Sequence, residues 1–273
     1  MAKNKLAKFA EMETFDNVFQ CAAREASADN PVVQMAGHWH ERYFRNNNPI
    51  VLELGCGRGE YTVGLAELYP EKNFIGIDIK GARMWAGAKQ AVNTGLRNVA
   101  FLRTNIELLE QFFTAGEIEE IWITFCDPQM KKATKRLTSS WFMARYKNVM
   151  RENGRIHLKT DSPFLYVYTR EMVKINGFTV HADTEDLYSA AESPVLQEAR
   201  ALQTHYEHQW LDRGMKIKYL CWELPQRENY AEPDIEIEKD DYRSYGRFAR
   251  GGNKSSNRKS SNRKSNNVSP TNN

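Results

Sequence analysis

The run VLELGCGRGEYTVGLA carries an apolar stretch into Glu53, then Gly55, Gly57 and Gly59, and then a helical pattern. Glycines let the backbone turn sharply and approach a ligand, and at the carboxyl edge of a strand in an open sheet that places a cofactor. The spacing is GxGxG, whereas the dinucleotide fingerprint is GxGxxG with a helix N-terminus aimed at pyrophosphate. Its sixth position is Glu60, whose charge disfavours a diphosphate there. With Glu53 two residues before the first glycine, the loop suits a cationic cofactor, and S-adenosylmethionine carries a sulfonium and an ammonium group. Asp78 closes the next apolar run about 23 residues after Gly55, near the spacing at which a carboxylate accepts both hydroxyls of an adenosine ribose, in NAD and S-adenosylmethionine alike. In TNIELL, Asn105 and Ile106 stand where an adenine could be bonded and covered, although Asn105 also suits an ordinary helix N-cap. The plain alternative for the loop is a strand-to-helix turn with no ligand.

FCDPQMKKATKRL adds Asp127 at the end of another apolar run, a Pro128 corner, and then Lys131, Lys132, Lys135 and Arg136. Asp127 falls at the same sheet edge as the glycine loop, where open sheets bind substrates. An Asp-Pro turn and a solvated charge run are the plain readings. Beside a cofactor pocket, the cations would form a basic lip of the kind that meets phosphate backbones.

These residues need a sheet to position them. Between Pro49 and Leu224 short apolar runs alternate with helix-length segments, the rhythm of an α/β fold. PIVLELG, NFIGIDI, VAFLRT, EEIWITF and RIHLKTD are five strands, mostly continuous in hydrophobicity as expected when both faces are covered. Apolar spacing predicts helices over 60–69, 82–94 and 139–150, and GFTVHA and KIKYLCWEL close the sheet around a long helical insert. Residues 1–48 read as an N-terminal arm, 49–227 as the main domain, 228–250 as an acidic segment and 251–273 as a disordered basic tail.

A chain of 273 residues with 41% hydrophobic content can bury one sizeable core, and the formal net charge of +3 hides its uneven spread. Cys21, Cys56, Cys126 and Cys221 lie far apart without metal-ligand spacing, so free thiols are expected and no metal site. His38 and His40 flank Trp39 as surface or packing residues rather than ligands, and Trp141, Phe142 and Tyr146 lie at core spacing. No apolar leader and no membrane-length apolar run is present, which points to a soluble cytoplasmic protein.

Taken in order, LELGCGRGE, FIGIDI, F.DP..KK...KR, LKTD and THYE resemble the bacterial TrmB family, the tRNA (guanine-N7-)-methyltransferases, over residues 48–224. The basic corner is the specific part of that resemblance. It implies a class I S-adenosylmethionine-dependent methyltransferase fold, Rossmann-like, with a mostly parallel seven-stranded sheet and helices on both faces. It also implies S-adenosylmethionine as cofactor and tRNA as partner, methylated at N7 of a variable-loop guanine, position 46. Cofactor-binding positions then fall on Glu53, Gly55, Gly57, Asp78, Asn105, Ile106 and Asp127, and substrate-binding positions on Lys131, Asp161 and Thr204 to Glu207. Lys132, Lys135 and Arg136 are expected on RNA phosphates, and Asp127 is the carboxylate expected nearest the chemistry. Two positions depart from the family pattern: Asn105 replaces an Asp, and Gln129 replaces a Trp that would have offered a stacking surface. A methyltransferase for another substrate, which needs no basic corner, and a catalytically inert RNA-binding protein on the same fold are the competing readings.

Overall fold

The structure, a computed structural model, describes residues 2–241; the expected basic tail at 251–273 and the end of the acidic segment lie outside the described residues. All five expected strands form, as β2 (Ile50–Leu54), β3 (Asn73–Ile77), β4 (Val99–Arg103), β5 (Ile118–Thr124) and β6 (Met150–Thr160), and the closing pair is β7 (Val180–Thr184) and β8 (Lys218–Leu224). An eighth strand that the sequence pattern did not reveal, β1 (Val18–Gln20), adds to the edge of β4 in parallel. The order is β1-β4-β3-β2-β5-β6-β8-β7, parallel except for β8, which runs antiparallel to both of its neighbours.

Alternation along each strand divides the core into two layers. Leu52, Leu54, Ile121, Ile123, Ile156 and Leu158 face one side, covered by α4 (Ser140–Tyr146), α5 (Pro163–Ile175) and the N-terminal segment. Val51, Phe74, Phe101, Trp122 and Tyr219 face the other, covered by α2 (Glu60–Leu68), α3 (Gly81–Thr94) and the insert between β7 and β8. That insert holds α6 (Pro194–Arg200) and α7 (His205–Leu211).

The N-terminal segment is not a free arm. Its helix α1 (Ala2–Met12) lies on α3, and Cys21, Met35, Trp39 and Phe44 are buried in the first core layer. Trp39 stacks on Phe113 and donates its indole N–H to the Phe112 carbonyl at 2.8 Å. A large buried aromatic with a satisfied polar tip anchors such a segment to the core. His40 bonds to the Asn48 carbonyl at 2.9 Å, and His38 lies 3.3 Å from Glu41.

The expected helix over 139–150 is shorter, 140–146, because the chain enters β6 at Met150. Among the described residues no helix is long and apolar enough to cross a membrane.

Candidate active site

The strand ends of β2, β3, β4 and β5 open into one cleft of about 420 Å³, lined among others by Glu53, Gly55, Gly57, Asp78, Asn105, Ile106, Asp127 and Thr204. That volume is in the range of small-molecule sites.

The three glycines do different work. Gly55 and Gly57 have φ of 79° and 56°, a backbone region that L side chains avoid, and the Cβ position at Gly55 is open space. Gly59 shares the positive φ, at 73°, and is also a packing residue: a Cβ there would stand 2.5 Å from the Phe101 ring and 3.3 Å from Gly87 Cα on α3. The loop is tied to its neighbour because the Gly55 and Cys56 amides donate to the Ile77 carbonyl and the Gly57 amide donates to Asp78 Oδ2 at 3.0 Å. Asp78 Oδ1 accepts from the Lys80 amide at 2.8 Å, which fixes the carboxylate at the cleft while leaving each oxygen a further lone pair.

Glu53 points to the α2 side of the sheet and is only 4% exposed. Its Oε2 accepts from the Thr62 amide at 2.8 Å and from the Thr62 hydroxyl, and its Oε1 accepts from the Thr124 hydroxyl at 2.7 Å. Burial pushes its pKa up to about 7, against the lowering effect of these bonds, and nearby Asp78 adds to the rise.

Asp127 is exposed at the cleft mouth. Its Oδ1 accepts from the Gln129 amide at 3.0 Å, the turn that an Asp makes around a proline corner, and Oδ2 has no hydrogen-bond partner among the described residues. Phe125 and Gln129 on either side adopt φ of 49° and 48°. For a bulky side chain such as Phe125 that is local strain, and it brings the ring to the cleft wall.

The basic lip is narrower than four cations. Lys131 and Lys132 are exposed and unpaired among the described residues, while Lys135 lies 2.7 Å from Glu107 and links the β4 and β5 loops. Arg136 is no lip residue: it is 4% exposed, donates to the Pro128 and Gln129 carbonyls at 3.1 Å each, and its guanidinium sits 3.9 Å from the Tyr168 ring centroid. It holds the Asp127 turn from beneath, so the expected phosphate role is corrected to a scaffold role.

Two further expectations are corrected by burial. Asp161 is fully buried beyond the end of β6 and does not line the cleft. Glu207 is also fully buried: its Oε1 lies 2.8 Å from Lys159 Nζ and accepts from the Tyr188 hydroxyl at 2.6 Å, while its Oε2 accepts from the Thr204 amide. Thr204 answers by accepting from the Glu207 amide, so the motif THYE is a capping box that starts α7. The box presents Thr204 and Tyr206 to the cleft, and the His205 amide donates to Glu60 Oε2 at 2.8 Å across its rim.

Asn105 precedes a short 3₁₀ turn but makes no side-chain cap bond, so its amide is available at the cleft wall with Ile106 beside it. Two lining residues that sequence reasoning missed are Tyr61 and Thr104. Both are about 1% exposed, both line the cleft, and their hydroxyl oxygens have no hydrogen-bond partner among the described residues. Buried hydroxyls without partners are costly unless a ligand satisfies them.

A family model described as "Putative methyltransferase" matches residues 47–220. The tRNA (guanine-N(7)-)-methyltransferase of Bacteroides fragilis (strain YCH46) is 56% identical over 256 residues, 94% of this chain and 100% of that protein. The protein of the same description from Porphyromonas gingivalis (strain ATCC BAA-308 / W83) is 57% identical over 240 residues, 88% of this chain and 98% of that one. Among solved structures, the crystal structure of the 16S rRNA methyltransferase KamB superposes with a TM-score of 0.52 at 14% identity, over 70% of this chain and 92% of that one. A likeness at that identity reports the fold, a Rossmann-like class I methyltransferase sheet.

Proposed function

The chain belongs to the TrmB family of tRNA (guanine-N7-)-methyltransferases, and from that premise we propose that it methylates tRNA at N7 of guanine, using S-adenosylmethionine, at the variable-loop position 46. The observation that carries the reading is the exposed Asp127 carboxylate between the glycine-loop cleft and the unpaired Lys131 and Lys132.

The cleft residues fit the cofactor. In this reading Asp78 accepts ribose hydroxyls, Asn105 and Ile106 bond and cover adenine, and Glu53 offsets positive charge; all four line the cleft. The unsatisfied hydroxyls of Tyr61 and Thr104 provide polar groups where a ligand would complete them. When bound, S-adenosylmethionine supplies an electrophilic methyl group on a cationic sulfur.

Guanine N7 carries an in-plane lone pair, so methyl transfer forms the N7–C bond as the C–S bond breaks and needs no base to remove a proton first. What the chain supplies is alignment. In this reading Asp127, whose Oδ2 has no hydrogen-bond partner among the described residues, accepts from the guanine N1–H and exocyclic amine and stabilises the positive charge that the ring gains. Lys131 and Lys132 meet phosphates, which gives affinity and salt dependence rather than base choice.

The test is transfer of labelled methyl from S-adenosylmethionine to bulk tRNA followed by nucleoside analysis. The expected product is 7-methylguanosine, lost when guanine 46 is replaced by adenine in a transcript. Label in any other nucleoside, or none, refutes the reading.

A further inference from the structure

The helices α1 and α3 carry Lys5, Lys8, Arg83 and Lys89, with Lys80 at the α3 N-cap, against one acid, Glu11. That acid is already engaged, 2.7 Å from Lys89 Nζ and accepting from the Trp85 indole N–H at 2.7 Å. Lys5, Lys8, Lys80 and Arg83 have no carboxylate within ion-pair distance among the described residues. Lys8 instead lies over the Trp85 ring, 4.2 Å from its centroid, while Lys89, already paired with Glu11, lies 5.0 Å from the same centroid. A cation held on an aromatic face keeps its charge directed outward without a neutralising partner.

Placement gives this charge a purpose. Phe9 packs α1 onto the first turn of α3, where a Cβ at Gly81 would stand 2.7 Å from its ring, and the Arg103 guanidinium covers Phe9 from below at 4.4 Å. That first turn is the cleft wall, since Lys80 and Arg83 line it. The β3 loop, with Lys80 and Arg83, and the β5 loop, with Lys131 and Lys132, lie on opposite sides of the β2 glycine loop in the strand order. The cleft is therefore bordered by uncompensated cations on both sides.

We propose that the α1–α3 face is a second phosphate-binding rail, which grips the RNA backbone on the side of the cleft opposite Lys131 and Lys132. The inference rests on the tRNA methyltransferase reading. A target base in folded RNA is flanked by backbone on both sides, and two rails hold it over Asp127 where one would leave it free to swing. The exposed Leu6 and the lysines of α1 are also compatible with an anionic membrane surface, which the experiment separates.

The experiment compares the full-length protein with Lys5→Gln/Lys8→Gln and with Lys131→Gln/Lys132→Gln, measuring tRNA affinity between about 50 and 200 mM salt. Each lysine on a phosphate contributes about one to the slope of log affinity against log salt, so each pair of substitutions lowers the slope by about two. S-adenosylmethionine affinity is unchanged in Lys5→Gln/Lys8→Gln, which also verifies its fold, and Lys5→Arg/Lys8→Arg restores the slope. If the wild type yields 7-methylguanosine while Lys5→Gln/Lys8→Gln binds tRNA with unaltered affinity and slope, the rail is refuted and the activity stands. Loss of binding to phosphatidylserine vesicles in that variant with tRNA affinity intact refutes it in favour of a membrane contact. A wild type that binds no tRNA removes the premise itself.

Discussion

At the scale of single residues, Glu53 and Arg136 make opposite predictions about charge. With a pKa near 7, Glu53 is largely protonated below neutrality, and a cationic cofactor favours its ionised form. Cofactor binding therefore releases a proton, and affinity for S-adenosylmethionine is expected to rise by up to about tenfold per pH unit from 5.5 toward 7. Calorimetry in buffers of different ionisation enthalpy measures the release, which Glu53→Gln abolishes. Arg136→Ala removes two bonds to carbonyls and a guanidinium stacked on Tyr168. It is expected to cost about 2 kcal/mol of stability and to lower kcat, while the salt slope of tRNA binding stays as it was. A reduced slope would return Arg136 to the phosphate-binding set. Sequence spacing put Glu53, Asp78 and Asp127 at strand ends, and all three line the cleft, because residue type and strand end suffice for that placement. It could not tell Lys132 from Arg136, since whether a cation in a basic run faces water or lies under a turn depends on what α5 places beneath it. Tyr61 and Thr104 left no signal either, because their hydroxyls matter only through having no partner among the described residues.

At the scale of elements, the insert between β7 and β8 is tied to β6 through a buried ion pair. Lys159 reaches from β6 to Glu207 and donates to the Ala199 and Leu202 carbonyls at 2.7 and 2.8 Å. Burial holds the Lys159 pKa below its ordinary value, against the raising influence of Glu207. Breaking a buried pair strands the remaining charge, so Lys159→Met is expected to cost about 3 kcal/mol in urea unfolding, with most of that regained in Lys159→Met/Glu207→Gln. Thr204 and Tyr206 lose their fixed place in the single variant, so KM for S-adenosylmethionine should rise more than kcat falls. The strands were legible because continuous apolar runs between turn residues leave few alternatives. β1 was not, since three residues docked on a sheet edge carry no periodicity, and the N-terminal segment looked free because its anchors are scattered through polar sequence.

At the scale of the whole molecule, a buried charge cluster sets how stability depends on pH. Glu120 is 3% exposed and lies 3.3 Å from Lys72 and 3.5 Å from His157, with Arg155 as a third partner. Burial disfavours its charge, but these cations hold its pKa well below the usual carboxylate range. Burial likewise disfavours the His157 imidazolium, yet Cys221 and Glu120 raise its pKa to about 9, and its ring stacks on Trp122 at 3.9 Å. A histidine raised in the folded state stabilises fully below its unfolded pKa of about 6.5 and loses that contribution as pH passes its folded value. The cofactor-free protein is thus expected to lose up to about 3 kcal/mol between pH 6 and 9, Glu53 ionisation acting in the same direction below 7. Urea unfolding across that range checks it, and His157→Gln should flatten the dependence above pH 7.

The position of β8 between β6 and β7 has a consequence for synthesis. As the polypeptide leaves the ribosome, β7 emerges with no neighbour to pair with, and the flank of β6 stays bare until Lys218–Leu224 follows. Thr204 and Tyr206, which line the cleft, are translated in that interval. A nascent chain halted before residue 218 would own a complete glycine loop and an open sheet, ready to clump before it could ever hold a methyl donor.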